Sequence, residues 1–213
     1  MDEIWKTIVQ VHQQAKSLML IAEELDPEFS TFVQPVRELR DALEHIVRAK
    51  AVETGIAPPP NNINKDDYIR TSYGKALGHE YRAFFDVADW LSMTIREKVL
   101  GLMEDYSKET ITNVVPSYYQ EWRPAIEKVS IEIARIRDSK DIADKGKILS
   151  EVQEYRDKID ELLEIHEQLL ISIPALQEYS KKERKAAIKD KIWKVLIPIM
   201  VALAASTITA LIK

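Results

Sequence analysis

One apolar stripe in the middle of the chain restricts the possible folds more than any other feature. Between residues 73 and 99, apolar side chains recur every three or four positions, which is the period of one face of an α-helix. A face of this length has to be covered by other helices. The sequence therefore predicts an all-α fold, an antiparallel helical bundle. The stripe consists of Tyr73, Leu77, Tyr81, Phe84, Ala88, Leu91, Ile95 and Val99.

The scarcity of glycine agrees with a helical fold. The 213 residues include 5 Gly, which leaves little room for tight hairpins or for loops that hold phosphate. Helical periods also predict a helix over residues 2–25 and a second from about residue 31 or 35 to residue 54, with Gly55 as its C-terminal stop. Residues 105–138 read as a helix that Pro116 breaks.

A heptad repeat predicts a further long helix within residues 139–180, which Pro174 interrupts. Its seam could pack antiparallel in the same bundle or could mediate self-association. The polar residue of the seam, His166, would then select the correct partner and would not act as a ligand. The seam consists of Val152, Tyr155, Ile159, Leu162, His166, Leu169 and Ile173.

The C-terminal end combines a basic stretch with an uncharged one. Residues 181–194 contain seven Lys or Arg and two acidic residues, and residues 195–212 contain no charge. An apolar run of this length predicts a single membrane-spanning helix, and the preceding positive charge orients the body to the cytoplasmic side. We expect a C-terminal anchor in an inner membrane, with Lys191, Trp193 and Lys194 at the membrane interface.

Small residues within the predicted span favour close helix packing. Ala202, Ser206 and Ala210 follow a small-xxx-small spacing, which predicts a homo-oligomer. The predicted organisation has four parts: a helical bundle over residues 1–138, a heptad-bearing helix over 139–180, a basic juxtamembrane stalk over 181–194 and a transmembrane helix over 195–212.

Several chemistries lack their residues. The chain has no cysteine, which excludes thiolate chemistry and the cysteine-containing zinc sites. It contains no P-loop, no Gly-x-Ser-x-Gly elbow and no His-Glu-x-x-His motif, so we expect no metal and no cofactor. The whole chain has a net charge of −5 although its C-terminal end is basic. The rest of the chain is therefore acidic. We therefore expect no DNA binding, and any RNA site would be a local basic spot.

A polar edge accompanies the apolar stripe on the third helix. At about 100° per residue, its members share an arc of roughly 80°. They could form a ladder of ion pairs, either solvated or between helices. Alternatively, His79 and Arg82 could complete a site with the second helix. The edge consists of Lys75, His79, Arg82, Asp86 and Asp89.

The second helix carries the candidate catalytic residues Arg40, Asp41 and His45, spaced as Arg-Asp-x-x-x-His. This spacing, with residues 38–46 and 78–91 around it, resembles the HEPN ribonucleases, and in particular the membrane-anchored HEPN-like proteins found beside bacterial antiviral systems. The resemblance implies a helical bundle that dimerises and cleaves RNA without a metal. It also implies that His45 handles the proton of the attacking hydroxyl, that Arg40 holds the phosphate and that Asp41 orients the pair.

Helical geometry restricts how these residues could act. Arg40 and His45 lie about 140° apart around a regular helix, so one helix cannot bring both onto one phosphate. A HEPN-like site would need a second copy of this helix from a partner chain. Alternatively, both residues pair with carboxylates such as Asp86 and Asp89 and hold the second and third helices in register.

The functional expectation is a membrane-anchored HEPN-like effector in bacterial defence or growth arrest, acting as a metal-independent endoribonuclease. One alternative is a non-catalytic oligomer that perturbs the membrane or forms a pore, and another is a tail-anchored scaffold. The expected partners are further copies of the chain, the lipid bilayer, RNA and other defence-system proteins.

Overall fold

The computed structural model describes residues 2–26, 33–60, 63–139 and 146–211, with the side chains of the last range described as far as Ala202. All regular elements in these ranges are helical, which confirms the prediction of an all-α fold. In chain order they are α1 (Asp2–Leu25), α2 (Val33–Glu53), α3 (Lys65–Glu104), α4 (Lys108–Val114), a π-helical turn (Tyr118–Trp122), α5 (Arg123–Ser139) and α6 (Ile148–Leu211).

Local sequence explains where α2 ends and α3 begins. Gly55 has a φ of 77°, a left-handed conformation that glycine adopts without a steric penalty, and it follows the last turn of α2 as predicted. Asn64 precedes α3, and its side-chain oxygen accepts a hydrogen bond from the backbone N–H of Asp66 at 2.9 Å. This side chain satisfies one of the free donors at the N-terminus of α3.

Prolines have different effects at different places. The predicted break at Pro116 lies between the end of α4 and the π-helical turn. By contrast, Pro174 and Pro198 lie inside α6, so the prediction that Pro174 interrupts this helix is wrong. Each proline removes one backbone donor, and the helical residues on both sides continue the element.

The chain divides into two compact units, and each unit combines two stretches of sequence. The first unit consists of Met1–Lys98 with Ala125–His166. The second consists of Val99–Pro124 with Glu167–Lys213. The predicted division of the chain into four parts stays a prediction.

In the first unit, α3 is the central helix. The part of the predicted apolar stripe that lies in this unit is buried, with each of its seven members at most 6% exposed. Other faces of the same helix are also covered, because Ala76, Ala83, Phe85 and Val87 are at most 2% exposed. A helix that is apolar on more than one face lies inside a domain, which explains why α3 contacts α1, α2, α5 and α6.

Consecutive helices of the first unit run in opposite directions. Glu38 of α2 contacts Arg82 of α3, and the backbone carbonyl of Glu53 accepts a hydrogen bond from Lys65, so α2 and α3 are antiparallel. On α5, Ser130 contacts Arg96 and Arg137 contacts Asp89, so α3 and α5 are also antiparallel. Helices α1 and α6 run in the same direction as α3.

The first half of the predicted heptad seam packs within the chain. Val152, Tyr155, Ile159 and Leu162 are at most 2% exposed, and the Tyr155 ring lies edge-on against Phe85 at a centroid distance of 5.2 Å. The Tyr155 hydroxyl donates to Asp89 Oδ1 at 2.5 Å. Burial, followed by this hydrogen bond to the carboxylate, raises the pKa of Tyr155, so the phenol stays protonated.

The face of α2 that packs on α3 is not the face with the largest apolar residues. Two of the large apolar residues of α2 are strongly exposed, with Val36 at 50% and Leu43 at 59%. The buried positions lie seven, seven and three residues apart, and two of the four are alanines. They are Pro35, Ala42, Ala49 and Val52.

In the second unit, the start of α4 contacts α6. Ser107 precedes α4, and its hydroxyl accepts from the backbone N–H of Thr110 at 3.0 Å. The Glu183 carboxylate accepts from the Ser107 hydroxyl at 2.9 Å and from the Thr110 hydroxyl at 2.6 Å. These hydrogen bonds, first from Thr110 and then from Ser107, lower the pKa of Glu183.

The C-terminal part of α6 corrects the prediction of a membrane anchor. No helix within the described residues contains a run that is long and apolar enough to cross a membrane. An 18-residue window that ends at Ala202, the last described side chain, begins at Lys185 and contains five charged residues. Because a span needs about 20 predominantly apolar residues, the predicted transmembrane helix and inner-membrane location are wrong for the described structure.

The residues assigned to that membrane lie on α6. Trp193 is 54% exposed, and Lys194 pairs with Asp190 of the same helix at 2.6 Å. Lys191 and Ala202 are exposed. The side chains of Ser206 and Ala210, which carried the predicted packing motif, lie outside the part of the chain whose side chains are described.

The two faces of α2 give a direct test of the packing. We expect Ala42→Leu to destabilise the protein by about 1–3 kcal/mol, because the larger side chain has no space against α3. Leu43→Ala should change the free energy of unfolding by less than about 0.5 kcal/mol, because Leu43 is mostly exposed. Both residues have high helix propensity, so urea unfolding of the two variants isolates the packing effect. A larger loss for Leu43→Ala would contradict this assignment of faces.

Candidate functional site

Small residues on α2 allow polar side chains to reach α3. Ala42 and Ala49 are fully buried, and Glu38 and His45 lie on the same face, three and four positions away. Residues three or four apart share one side of a helix, so this face presents a carboxylate and an imidazole to α3. The residues of α3 that face them are His79 and Arg82, which lie three positions apart and so share one side of α3.

Glu38 joins the two helices through a single oxygen. Its Oε2 atom accepts from Arg82 Nε at 2.8 Å and lies 2.8 Å from His79 Nδ1. The Glu38 side chain is 13% exposed. Burial alone would raise the pKa of Glu38, but the hydrogen bonds from Arg82 and His79 together outweigh it, and the pKa is lowered. Glu38 is therefore a carboxylate held between two partners of α3.

The position of the proton on His79 follows from its neighbours. Arg82 Nη2 lies 2.7 Å from His79 Nδ1, the same nitrogen that faces Glu38. Arg82 has only donors, and Nδ1 cannot donate to Glu38 and accept from Arg82 at once. We assign the proton to Nδ1, because a charged carboxylate is the stronger acceptor. The other ring nitrogen, Nε2, is then directed away from the pair.

His45 stacks on His79. The two ring centroids are 5.3 Å apart with an angle of 22° between the ring planes, within the range of offset stacking. The pKa of His45 is lowered, first by burial and then by the charges of His79, Lys75 and Arg48, while Asp41 opposes the shift. At neutral pH His45 is therefore a neutral imidazole that can accept a proton.

Arg40 and Asp41 form a separate pair at the surface. Arg40 Nε and Nη2 both donate to Asp41 Oδ1, at 2.9 Å and 2.7 Å. This interaction is the main reason that the pKa of Asp41 is lowered, and the nearby His79 and His45 add to the effect. The Arg40 side chain is 69% exposed and lines a groove against α1, whereas His45 lies against α3. The structure therefore does not bring Arg40 and His45 together.

The residues of the predicted polar edge of α3 contact more than one neighbouring helix. His79 and Arg82 contact Glu38, and Lys75 is exposed but close enough to affect His45. Asp89 instead contacts Tyr155 of α6 and Arg137 of α5, with Arg137 Nε 3.3 Å from Asp89 Oδ2. Asp86 is partly buried and also has an interaction partner. The edge is thus divided between the candidate site and the core.

One of the two sequence-based alternatives placed His79 and Arg82 in a site with the second helix, but it did not pair His79 with His45. It also missed Glu38, which holds His79, and Arg48, which contributes charge near His45. The signal that could have found them is the shared spacing of Glu38, Ala42 and His45. Small residues on this face indicate that a neighbouring helix packs closely against it. The carboxylate and the histidine beside them then need polar partners on that helix.

Comparisons with known proteins found no match to this chain among protein-family models, curated proteins or solved structures. The HEPN-like resemblance therefore stays a prediction. Within the described residues, no group of three or more His, Asp or Glu side chains is arranged to hold a metal ion.

The pKa values of His45 and His12 shift in opposite directions, so these two histidines should make protein stability depend on pH with opposite signs. The pKa of His45 is lowered from 6.5, so its contribution to stability is present above that value and is lost as the pH falls. The pKa of His12 is raised, chiefly by its hydrogen bond to Glu80, so its contribution is present below 6.5 and is lost as the pH rises.

Urea unfolding of His45→Gln and His12→Gln from about pH 5 to about pH 8 tests these signs. We expect His45→Gln to weaken the loss of stability in acid and His12→Gln to weaken the loss above the pKa of His12. Each variant is the control for the other, because both remove one imidazole. Changes of the same sign in the two variants would contradict the assigned environments.

Proposed function

We propose that this protein is a metal-independent endoribonuclease whose active site is the cluster of Glu38, His45, His79 and Arg82. The observation that carries the proposal is the stacking of two imidazoles with different surroundings. One is neutral and partly buried, and the other is held by a carboxylate. Cleavage of RNA through its 2′-hydroxyl needs two proton transfers, one to a base and one from an acid.

His45 has the properties of the base. Its lowered pKa leaves the imidazole neutral at neutral pH, so it can accept the proton of a ribose 2′-hydroxyl. The 2′-oxygen then forms a bond to phosphorus. This step needs RNA, because DNA has no 2′-hydroxyl.

His79 has the surroundings of the acid. Glu38 holds its Nδ1–H, which fixes the ring and leaves Nε2 to carry the proton for the leaving group. As the bond between phosphorus and the 5′-oxygen breaks, the 5′-oxygen takes a proton from Nε2 of His79. The products are a cyclic phosphate and a free 5′-hydroxyl. The base and acid then exchange protons with water.

Cationic side chains near the two imidazole rings would stabilise the negative charge of the reacting phosphate. Arg82 is 40% exposed on its side chain, Lys75 is exposed, and Arg48 is close enough to affect His45. Arg48 is paired with Glu44 at 2.6 Å and Arg82 with Glu38 at 2.8 Å, so carboxylates partly neutralise these cations. The proposal assigns contact with a phosphate to Lys75 and to the exposed part of Arg82, because positive charge near the reacting phosphate stabilises the transition state.

In this proposal the site differs from the HEPN-like one. The HEPN-like motif assigns the phosphate to Arg40, whereas here Arg82 takes that role within one chain. A role in bacterial defence or growth arrest, homo-oligomer formation and binding to other defence-system proteins follow from the sequence predictions alone and stay predictions.

A rival interpretation is a non-catalytic scaffold in which the cluster only holds α2 on α3. The observation that favours it is the low exposure of Glu38, which already has three partners, His79, Arg82 and Gln34. If the protein is a scaffold, substitution of either histidine changes no rate of RNA cleavage.

Single substitutions separate these two interpretations. We expect His45→Ala and His79→Ala each to lower the rate of cleavage of a single-stranded RNA by about 100-fold or more, because each removes one proton transfer. His166→Ala on α6 is the matched control and should keep the rate. Gel analysis of a labelled RNA, with and without EDTA, measures the rate, and chelation should leave it unchanged.

Arg40 distinguishes the one-chain site from the HEPN-like site. If the proposal is correct, Arg40→Ala reduces cleavage less than Arg82→Ala does. The proposal is wrong if the folded wild-type protein does not cleave RNA, or if His45→Ala and His166→Ala cleave at the same rate.

A further inference from the structure

A second site lies on the opposite side of α2. A groove of about 660 Å³ separates α1 from α2. Its walls are mostly apolar and include Trp5 and Val9 of α1 and Val36, Leu39 and Leu43 of α2. Trp5, Val36 and Leu43 are between 44% and 59% exposed, so the groove is open to solvent along its length. Its volume is within the range of small-molecule sites, about 300–1,000 Å³.

One acidic group lies within this apolar groove. Glu80 of α3 lines it and is 3% exposed, so its carboxylate is almost fully withdrawn from bulk water. A buried carboxylate is unfavourable unless donors satisfy it, and an apolar side chain would pack against the walls without that cost. Its presence puts a negative charge inside the groove, where a positive group would be favourable.

His12 is the donor that the structure places on Glu80. His12 Nδ1 is 3.1 Å from one carboxylate oxygen and 3.2 Å from the other, so one nitrogen is shared between two acceptors. These distances are longer than those of good charge-assisted hydrogen bonds, about 2.7–2.9 Å. The His12 side chain is 49% exposed and can turn towards solvent. A stronger donor could therefore replace it.

We propose that the groove between α1 and α2 binds a small amphipathic molecule that carries a protonated amine. The apolar part lies between Trp5, Val36 and Leu43, and the ammonium group donates to Glu80. An ammonium group has three donors, which suits a carboxylate that one shared N–H satisfies poorly. A ligand with a carboxylate would be repelled by Glu80.

The charged groups around Glu80 make this binding depend on pH. They are His12 and Lys16 on α1, Arg40 with its partner Asp41 on α2, and Glu80 itself on α3. Of these, His12 changes charge near neutral pH. Protonated His12 competes with the ligand for Glu80, so binding should strengthen as the pH rises and His12 becomes neutral. An alkyl amine stays protonated throughout this range.

Three matched compounds test the proposal by isothermal titration calorimetry: phenylbutylamine, phenylbutanol and phenylbutyrate. At about pH 8 we expect the amine to bind at least about tenfold more tightly than the alcohol, and phenylbutyrate to bind least. Glu80→Gln should remove the difference between amine and alcohol. The titration contains no RNA, so its outcome does not depend on the proposed ribonuclease activity.

Two surface variants keep the test decisive if Glu80→Gln does not fold. Leu43→Lys places a cation at the wall of the groove and should weaken binding of the amine, whereas Ile131→Lys on α5 should not. Both residues are similarly exposed, at 59% and 56%. Equal binding of amine and alcohol, or no binding of either, would overturn the proposal. A dimer in sedimentation that Leu43→Lys alone dissociates would also overturn it, because the groove would then be an interface between copies.

Discussion

The contact of Glu38 with His79 and Arg82 fixes the relation between α2 and α3, and both candidate sites depend on it. One carboxylate oxygen holds two side chains of the neighbouring helix at 2.8 Å. Hydrogen bonds to a charged group contribute about 1.5–3 kcal/mol each, more than any exposed pair on the same helix. They set the axial position of α2, and Ala42 and Ala49 let the two backbones approach.

This position of α2 gives its two sides different chemistry. The side towards α3 brings His45 onto His79, where a neutral imidazole meets one that a carboxylate orients. The side towards α1 leaves Val36 and Leu43 exposed along a groove with Glu80 in it. Sliding α2 along its axis by one turn, about 5.4 Å, would separate the histidines and change the lining of the groove.

Features with a local cause could be predicted from the sequence. The stripe from Tyr73 to Val99 is buried because its period matches one face of a helix, and α2 ends at Gly55 because glycine adopts a left-handed conformation. The buried face of α2 could not be predicted from the sizes of its apolar residues. Contact with a crowded helix such as α3 selects small residues, so Ala42 is buried and Leu43 is not. A membrane helix was predicted from the uncharged run over residues 195–212 and the basic stretch before it, and no helix within the described residues is long and apolar enough to cross a membrane.

The candidate site illustrates the same limit. The spacing of Arg40 and His45 along one helix indicated a shared role, yet the two side chains point to different neighbours. The partner of His45 comes from α3, and only the antiparallel pairing of the helices shows which residue that is. Glu38 had no motif to mark it, because its importance comes from what lies opposite.

Nuclear Overhauser contacts between the ring protons of His45 and His79 test this account most directly. The account predicts a contact in the wild-type protein and its loss in Glu38→Gln, because the carboxylate holds His79 in place. Absence of the contact in the folded wild-type protein, or its persistence in Glu38→Gln, would contradict the claim that Glu38 assembles the two histidines.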